Sequence, residues 1–293
     1  MFTGSWVALV TPMHSDGTVD YGALQQLVEF HIESKTDGIV AVGTTGESAT
    51  LPFDEHVHVV KKTVEFAAGR IPVIAGAGAN ATEEAIFLSQ QLAKTGVEGF
   101  LSVVPYYNKP QQRGMVAHFT AIAQATDLPN LLYNVPGRTA VDMLPETVAE
   151  LSQLPTIVGL KDATGDVNRL RETQPLVPND FVMLSGDDDT SLDFLIAGGH
   201  GVISVTANIV PAAMAQLCKL AMNGQHAEAE RVNAEIAQLH LDLFIEPNPV
   251  MPKWALYKMG RMSGPTLRLP MVEPELVSQK QIEATLASLK LLK

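Results

Sequence analysis

Eight short apolar runs set at near-regular intervals constrain this chain more than any other feature. They are Trp6 to Val10, Gly38 to Val42, Ile71 to Ala75, Phe100 to Val104, Asn130 to Tyr133, Ile157 to Leu160, Phe181 to Leu184 and Gly201 to Val205. Their starts lie roughly 20 to 35 residues apart, and stretches with helical spacing, such as Leu24, Leu27, Val28, His31 and Ile32, fill the gaps. The runs are continuously apolar rather than alternating, so both faces are expected to be buried, as in a parallel sheet covered by helices. Eight strand-helix units predict closure into a (β/α)8 barrel, an α/β fold. The competing open, doubly wound sheet would offer a glycine-rich turn after an early strand, and GAGAN at 76–80 imitates one only weakly. Asp20 and Asp54 are candidate helix N-caps, Pro145 suits a first helical turn, and Gly69 and Gly96 fall just past helix ends. After Asn208 the pattern becomes wholly helical. The expected organisation is therefore a barrel over residues 1–210 and a C-terminal helical segment over 211–293 that completes and extends it.

Composition narrows the function classes. A formal charge of −12 repels a polyanion, and no basic run provides a local exception, so nucleic-acid binding is not expected. The one cysteine, Cys218, sits in the apolar-periodic stretch MAQLCKLA and is expected to be a buried small hydrophobe. No window approaches 18 uncharged apolar residues, and MFTGSWVALVTP lacks the basic and apolar regions of a leader. A soluble, cytoplasmic protein without a membrane partner is the expectation.

In an eightfold barrel the active site lies at the C-terminal ends of the strands, so the residues closing each run form a shortlist. Lys161 closes IVGLK, whereas Lys61, Lys62 and Lys219 fall in helical patterns. A lysine in such a setting supplies, on desolvation, the neutral amine that attack on a carbonyl requires. The plain alternative is a structural ion pair with Asp162 or Asp187. Tyr133 closes the preceding run and offers a phenol for proton transfer, with Thr44 and Tyr107 as relay hydroxyls. Alternatively, each tyrosine is a core or rim residue. Arg138 follows a Val-Pro-Gly turn and suits a carboxylate, or else pairs with Asp142 or Glu146. Thr44 and Thr45, flanked by Gly43 and Gly46, can present hydroxyls and N–H groups to a second carboxylate, or simply make a tight turn. His56 and His58 form an HxH pair on a predicted helix, where residues two apart diverge and do not share a metal. No phosphate-binding motif accompanies Asp187, Asp188 and Asp189, and catalysis without metal or cofactor is expected.

Six motifs in order, GTTGES at 43–48, PYYNKP at 105–110, YNVPGRT at 133–139, GLKDATGD at 159–166, GVISVTAN at 201–208 and EPNP at 246–249, resemble the dihydrodipicolinate synthase family of pyruvate-dependent class I aldolases and lyases. The likeness covers essentially the whole chain. It implies condensation of pyruvate with L-aspartate 4-semialdehyde, with Lys161 as imine former and Tyr133 as proton-transfer residue. It further implies that Thr44 links Tyr133 to a Tyr107 donated by a neighbouring subunit of a homo-oligomer, a tetramer in this family. Thr45 would hold the pyruvate carboxylate, Arg138 would receive the aldehyde substrate's carboxylate, and the backbones of Gly186 and Ile203 would shape the pocket. The same scaffold serves N-acetylneuraminate and 2-keto-3-deoxy sugar-acid lyases, and within it Arg138 resembles the synthase; a non-catalytic ligand-sensing barrel is the alternative from another class, told apart by whether borohydride with pyruvate labels Lys161. Inhibition by L-lysine is implied at Ser48, Ala49, His56, Asn80, Glu84 and Tyr106, with Phe53 where the family often has histidine. Asn80 as a helix cap and Glu84 as a first-turn carboxylate are the structural alternatives there.

Overall fold

A computed structural model describes residues 2–292. Eight parallel strands close into a barrel in sequence order. They are β1 (Gly4–Ala8), β2 (Gly38–Ala41), β3 (Val73–Gly76), β4 (Gly99–Val103), β5 (Asn130–Asn134), β6 (Ile157–Asp162), β7 (Val182–Ser185) and β8 (Gly201–Ser204). Every expected run is therefore a strand, with ends shifted by a few residues. β1 starts earlier, because Gly4 and Ser5 pair with Gly201 and Val202 to close the barrel. β3 starts later, because Pro72 has no N–H to give and serves only as the acceptor for Ile39. β6 runs on through Lys161 and Asp162, so Lys161 is held within the ladder rather than just beyond it.

Helices alternate with these strands: α1 (Tyr21–Glu33), α2 (Phe53–Ala67), α3 (Thr82–Leu92), α4 (Gln112–Ala123), α5 (Pro136–Thr139), α6 (Pro145–Leu151), α7 (Val167–Thr173) and α8 (Ser191–Ile196). Then come α9 (Pro211–Met222), α10 (His226–Asp242), α11 (Val250–Lys258) and α12 (Leu276–Ser288). Asp20 caps α1 by accepting from the Ala23 N–H at 2.9 Å. Asp54 does not cap α2. Pro52 occupies that position and Asp54 lies in the first turn, where the exposed N–H groups still favour a carboxylate. Asn80 likewise does not cap α3, which starts after Ala81.

Period-2 alternation sorts the strand residues into two layers. Trp6, Ala8, Val40, Ile74, Leu101, Leu131, Tyr133, Leu184 and Ile203 fill the barrel interior. Val7, Ile39, Ala41, Val73 and Ala75 face outward into the larger core beneath α1, α2 and α9. Trp6 fits the interior because its register partner across β1–β2 is Gly38, where a Cβ would come within 2.3 Å of the indole. Cys218 is buried in the outer core, and burial pushes its thiol well above the ordinary range. Among the described residues no helix is long and apolar enough to cross a membrane.

The C-terminal segment is fastened to the barrel by a buried charge cluster. Lys253 Nζ lies 2.5 Å from Glu47 Oε1, and neither side chain is more than 2% exposed. The other carboxylate oxygen of Glu47 accepts from the Arg268 N–H at 3.0 Å, while the Arg268 guanidinium forks onto Glu55. Burial pulls the Lys253 ammonium below its usual pKa, and the adjoining Glu47 carboxylate opposes that pull. Removing one partner leaves an uncompensated buried charge, so Lys253→Met is expected to cost about 3–5 kcal/mol of stability. The double variant Lys253→Met with Glu47→Gln is expected to lose less, read as the shift of urea midpoint. A double variant as unstable as the sum of the two singles would contradict this coupling.

Candidate active site

The site forms where strand ends and one C-terminal segment converge on the mouth of the barrel. Residue Tyr133 of β5 stands in register with Lys161 of β6, which in turn is in register with Leu184 of β7. Both polar side chains therefore point into the interior rather than toward the helices. The Lys161 Nζ sits 4.3 Å from the centroid of the Tyr133 ring, and Lys161 is only 5% exposed. The ion-pair alternative does not hold. Asp162 is engaged by Thr164 and Asn134, Asp187 by Thr190, and no carboxylate lies within 4.0 Å of the Lys161 ammonium among the described residues. Burial raises the Asp162 pKa, and its hydrogen bonds with Thr164 and Asn134 work against that rise.

Lys161 and Tyr133 line a cavity of about 110 Å³ together with Thr44, Thr45, Arg138, Gly186 and Asn248. Thr44 and Thr45 belong to the turn after β2, closed by the Gly46 N–H on Gly43 O and the Glu47 N–H on Thr44 O. The Thr45 hydroxyl oxygen accepts from Asn248 Nδ2 at 2.9 Å. Arg138 lies in α5 and donates to the Asn248 carbonyl at 3.2 Å. It pairs with neither Asp142, which holds Arg169 at 2.6 Å, nor Glu146, and among the described residues no carboxylate lies within 4.0 Å of it. Gly186 packs so closely that a Cβ there would meet Lys161 Cε at 2.7 Å. Ile203 is buried in the interior with Tyr133, but Val205 rather than Ile203 lines the cavity. Tyr107 is not brought to Tyr133 within this chain. It stands 90% exposed at φ +72°, outside the cavity.

A second cavity of about 400 Å³ gathers Ser48, Ala49, Phe53, His56, Glu84 and Tyr106. Thr44 and Arg138 also line it, so the two cavities share a wall. Asn80 does not line it, and the Asn80 carbonyl instead accepts from Asn108 Nδ2 at 2.8 Å. Burial lowers the His56 pKa to about 4, and its Nε2 lies 2.9 Å from the Gly76 carbonyl. The ring is therefore neutral at physiological pH and donates through Nε2, while His58 turns outward against Tyr21. Burial raises the Tyr106 pKa, with Glu84 adding to the effect. A larger cavity of about 700 Å³ opens at the opposite end of the barrel beside Gly4, Asp37 and Lys219, far from these groups.

Sequence reasoning missed Asn248, Glu47 and Lys253. EPNP stood out as a motif, yet nothing local announces contacts that span 203 residues for Thr45 with Asn248 and 206 for Glu47 with Lys253.

Residues 1–289 match the model of the dihydrodipicolinate synthetase family. The chain belongs to that family. A 4-hydroxy-tetrahydrodipicolinate synthase of Pseudoalteromonas atlantica is 67% identical over 97% of each chain, and one from Psychromonas ingrahamii is 54% identical over 100% of each. The chloride-inhibited dihydrodipicolinate synthase of Acinetobacter baumannii, solved with pyruvate, superposes with a TM-score of 0.97 at 45% identity over 100% of both chains. The lysine-bound enzyme of Cyanidioschyzon merolae gives 0.96 at 40% identity over 99% of each.

Gly186→Ala tests the close packing that sets Lys161 in place. The added methyl is expected to displace Lys161 and, if Lys161 takes part in the reaction, to lower activity by about tenfold or more. Wild-type activity in a folded Gly186→Ala enzyme would show that Lys161 tolerates the shift.

Proposed function

We propose that the chain is a 4-hydroxy-tetrahydrodipicolinate synthase, a lyase that condenses pyruvate with L-aspartate 4-semialdehyde on the diaminopimelate route to lysine. The observation that carries the reading is Lys161, buried beside Tyr133 in a cavity that also holds Arg138, with neither cation paired to a carboxylate among the described residues. The Lys161 amine attacks the pyruvate carbonyl carbon, and loss of water leaves the Schiff base. Removal of a methyl proton gives the enamine, whose carbon attacks the aldehyde of the second substrate. Tyr133 moves the protons in these steps. Thr45 holds the pyruvate carboxylate and Arg138 the carboxylate of the aldehyde.

Tyr107 joins the relay from a neighbouring subunit, with Thr44 between it and Tyr133. Its exposure and left-handed backbone suit a residue presented to another copy of the chain, and the assembly that provides such a copy is a homotetramer. L-Lysine is the effector of the second cavity, its ammonium on Glu84 and its polar groups beside Tyr106 and Ser48. The wall shared through Thr44 and Arg138 supplies a route by which an occupant there alters the active site. Phe53 replaces a polar contact with an apolar one and weakens the grip on lysine.

Purified protein given pyruvate and L-aspartate 4-semialdehyde, coupled to an NADPH-dependent reductase acting on the product, is expected to oxidise NADPH, and L-lysine is expected to lower the initial rate. No turnover, with cleavage of a sialic or ketodeoxy acid instead, would overturn the synthase reading. A rate unchanged at saturating lysine would remove the regulation.

A further inference from the structure

One side chain joins the two carboxylate-binding groups of the cavity, and it comes from outside the strands. Asn248 lies between α10 and α11 and is only 5% exposed. Its amide Nδ2 donates to Thr45 Oγ1 at 2.9 Å, and its backbone carbonyl accepts from Arg138 Nη2 at 3.2 Å. Its Oδ1 is buried without a hydrogen-bond partner among the described residues. All three residues line the same cavity.

A hydroxyl has one proton and two lone pairs. Because the Thr45 oxygen receives an N–H from Asn248, its own proton is not committed there and is available to donate into the cavity. A carbonyl oxygen in the same place would take that proton and leave only lone pairs facing a substrate carboxylate. The position of the amide is itself fixed from both sides. Five residues after Asn248, Lys253 is bound to Glu47, and Glu47 lies two residues after Thr45.

We propose that Asn248 is a positioning residue for pyruvate, turning the Thr45 hydroxyl into a hydrogen-bond donor to the substrate carboxylate while its carbonyl holds Arg138 ready for the second carboxylate. This rests on the Schiff-base reading given above. Its sharpest consequence concerns two substitutions. Asn248→Asp nearly preserves shape, yet its carboxylate would accept the Thr45 proton and set a like charge near the substrate, whereas Asn248→Ala merely removes the donor. A residue that only maintained packing would show the reverse order.

The test reads pyruvate KM and kcat in the coupled assay for Asn248→Ala, Asn248→Asp, Thr45→Val and the double variant Thr45→Val with Asn248→Ala. Asn248→Ala is expected to raise the pyruvate KM about tenfold, the effect of losing one hydrogen bond to a charged group, with kcat changed much less. Asn248→Asp is expected to raise it further, and the double variant to match Thr45→Val alone. Asn248→Asp milder than Asn248→Ala, or effects at the two positions that simply multiply, would overturn the proposal. The coupling between Thr45→Val and Asn248→Ala decides the matter even where Asn248→Asp fails to fold. A wild-type enzyme whose Lys161 stays unmodified by pyruvate and borohydride would instead overturn the Schiff-base reading on which this one stands.

Discussion

The parallel register between β5 and β6 fixes the distance and direction from which the chemistry follows. Tyr133 and Lys161 are Cα partners on the inward face, so the pleat that buries Leu131 and Leu184 also delivers a phenol and an amine to the same point. A slip of one residue in either strand would send that strand's side chain outward into the helix layer. The interior below them is filled by Trp6, Ile74 and Ile203, and the cavity that holds the pair lies above them at the strand ends. Lys161 is thus buried by the core that holds the barrel together, with no carboxylate within 4.0 Å among the described residues.

Around this pair, the remaining polar groups are supplied by segments with little structure of their own. The turn after β2 carries Thr44 and Thr45, and a one-turn helix carries Arg138. What makes them rigid is the C-terminal segment. Asn248 touches both, Lys253 clamps Glu47 in the turn, and Arg268 spans Glu47, Glu55 and the Gly17 carbonyl. The segment beyond the barrel is thus fastened to the turn after β2 and to α5, the two segments that carry Thr44, Thr45 and Arg138.

Much of this was legible in the sequence because it rests on local pattern. Continuous apolar runs named all eight strands, and the strand-end rule drew attention to Lys161, Tyr133, Thr44, Thr45 and Arg138. Asp20 was readable as a cap because its signal is confined to one turn. Asp54 and Asn80 misled for the same local reason, since a residue one or two places from the true boundary carries an equally plausible side chain. Contacts such as Thr45 with Asn248 had no such signal, being set by the closure of the whole chain. Tyr107 illustrates a further limit, because within a single copy of the chain it is an exposed tyrosine away from Tyr133.

In the proposed mechanism Lys161 forms a covalent imine with pyruvate. Borohydride added to the enzyme in the presence of pyruvate, followed by peptide mass spectrometry, traps that bond. A reduced pyruvate adduct on the peptide containing Lys161 is expected, with loss of activity in proportion to labelling. An unmodified Lys161 peptide, or labelling of another lysine accompanied by the same inactivation, would contradict it.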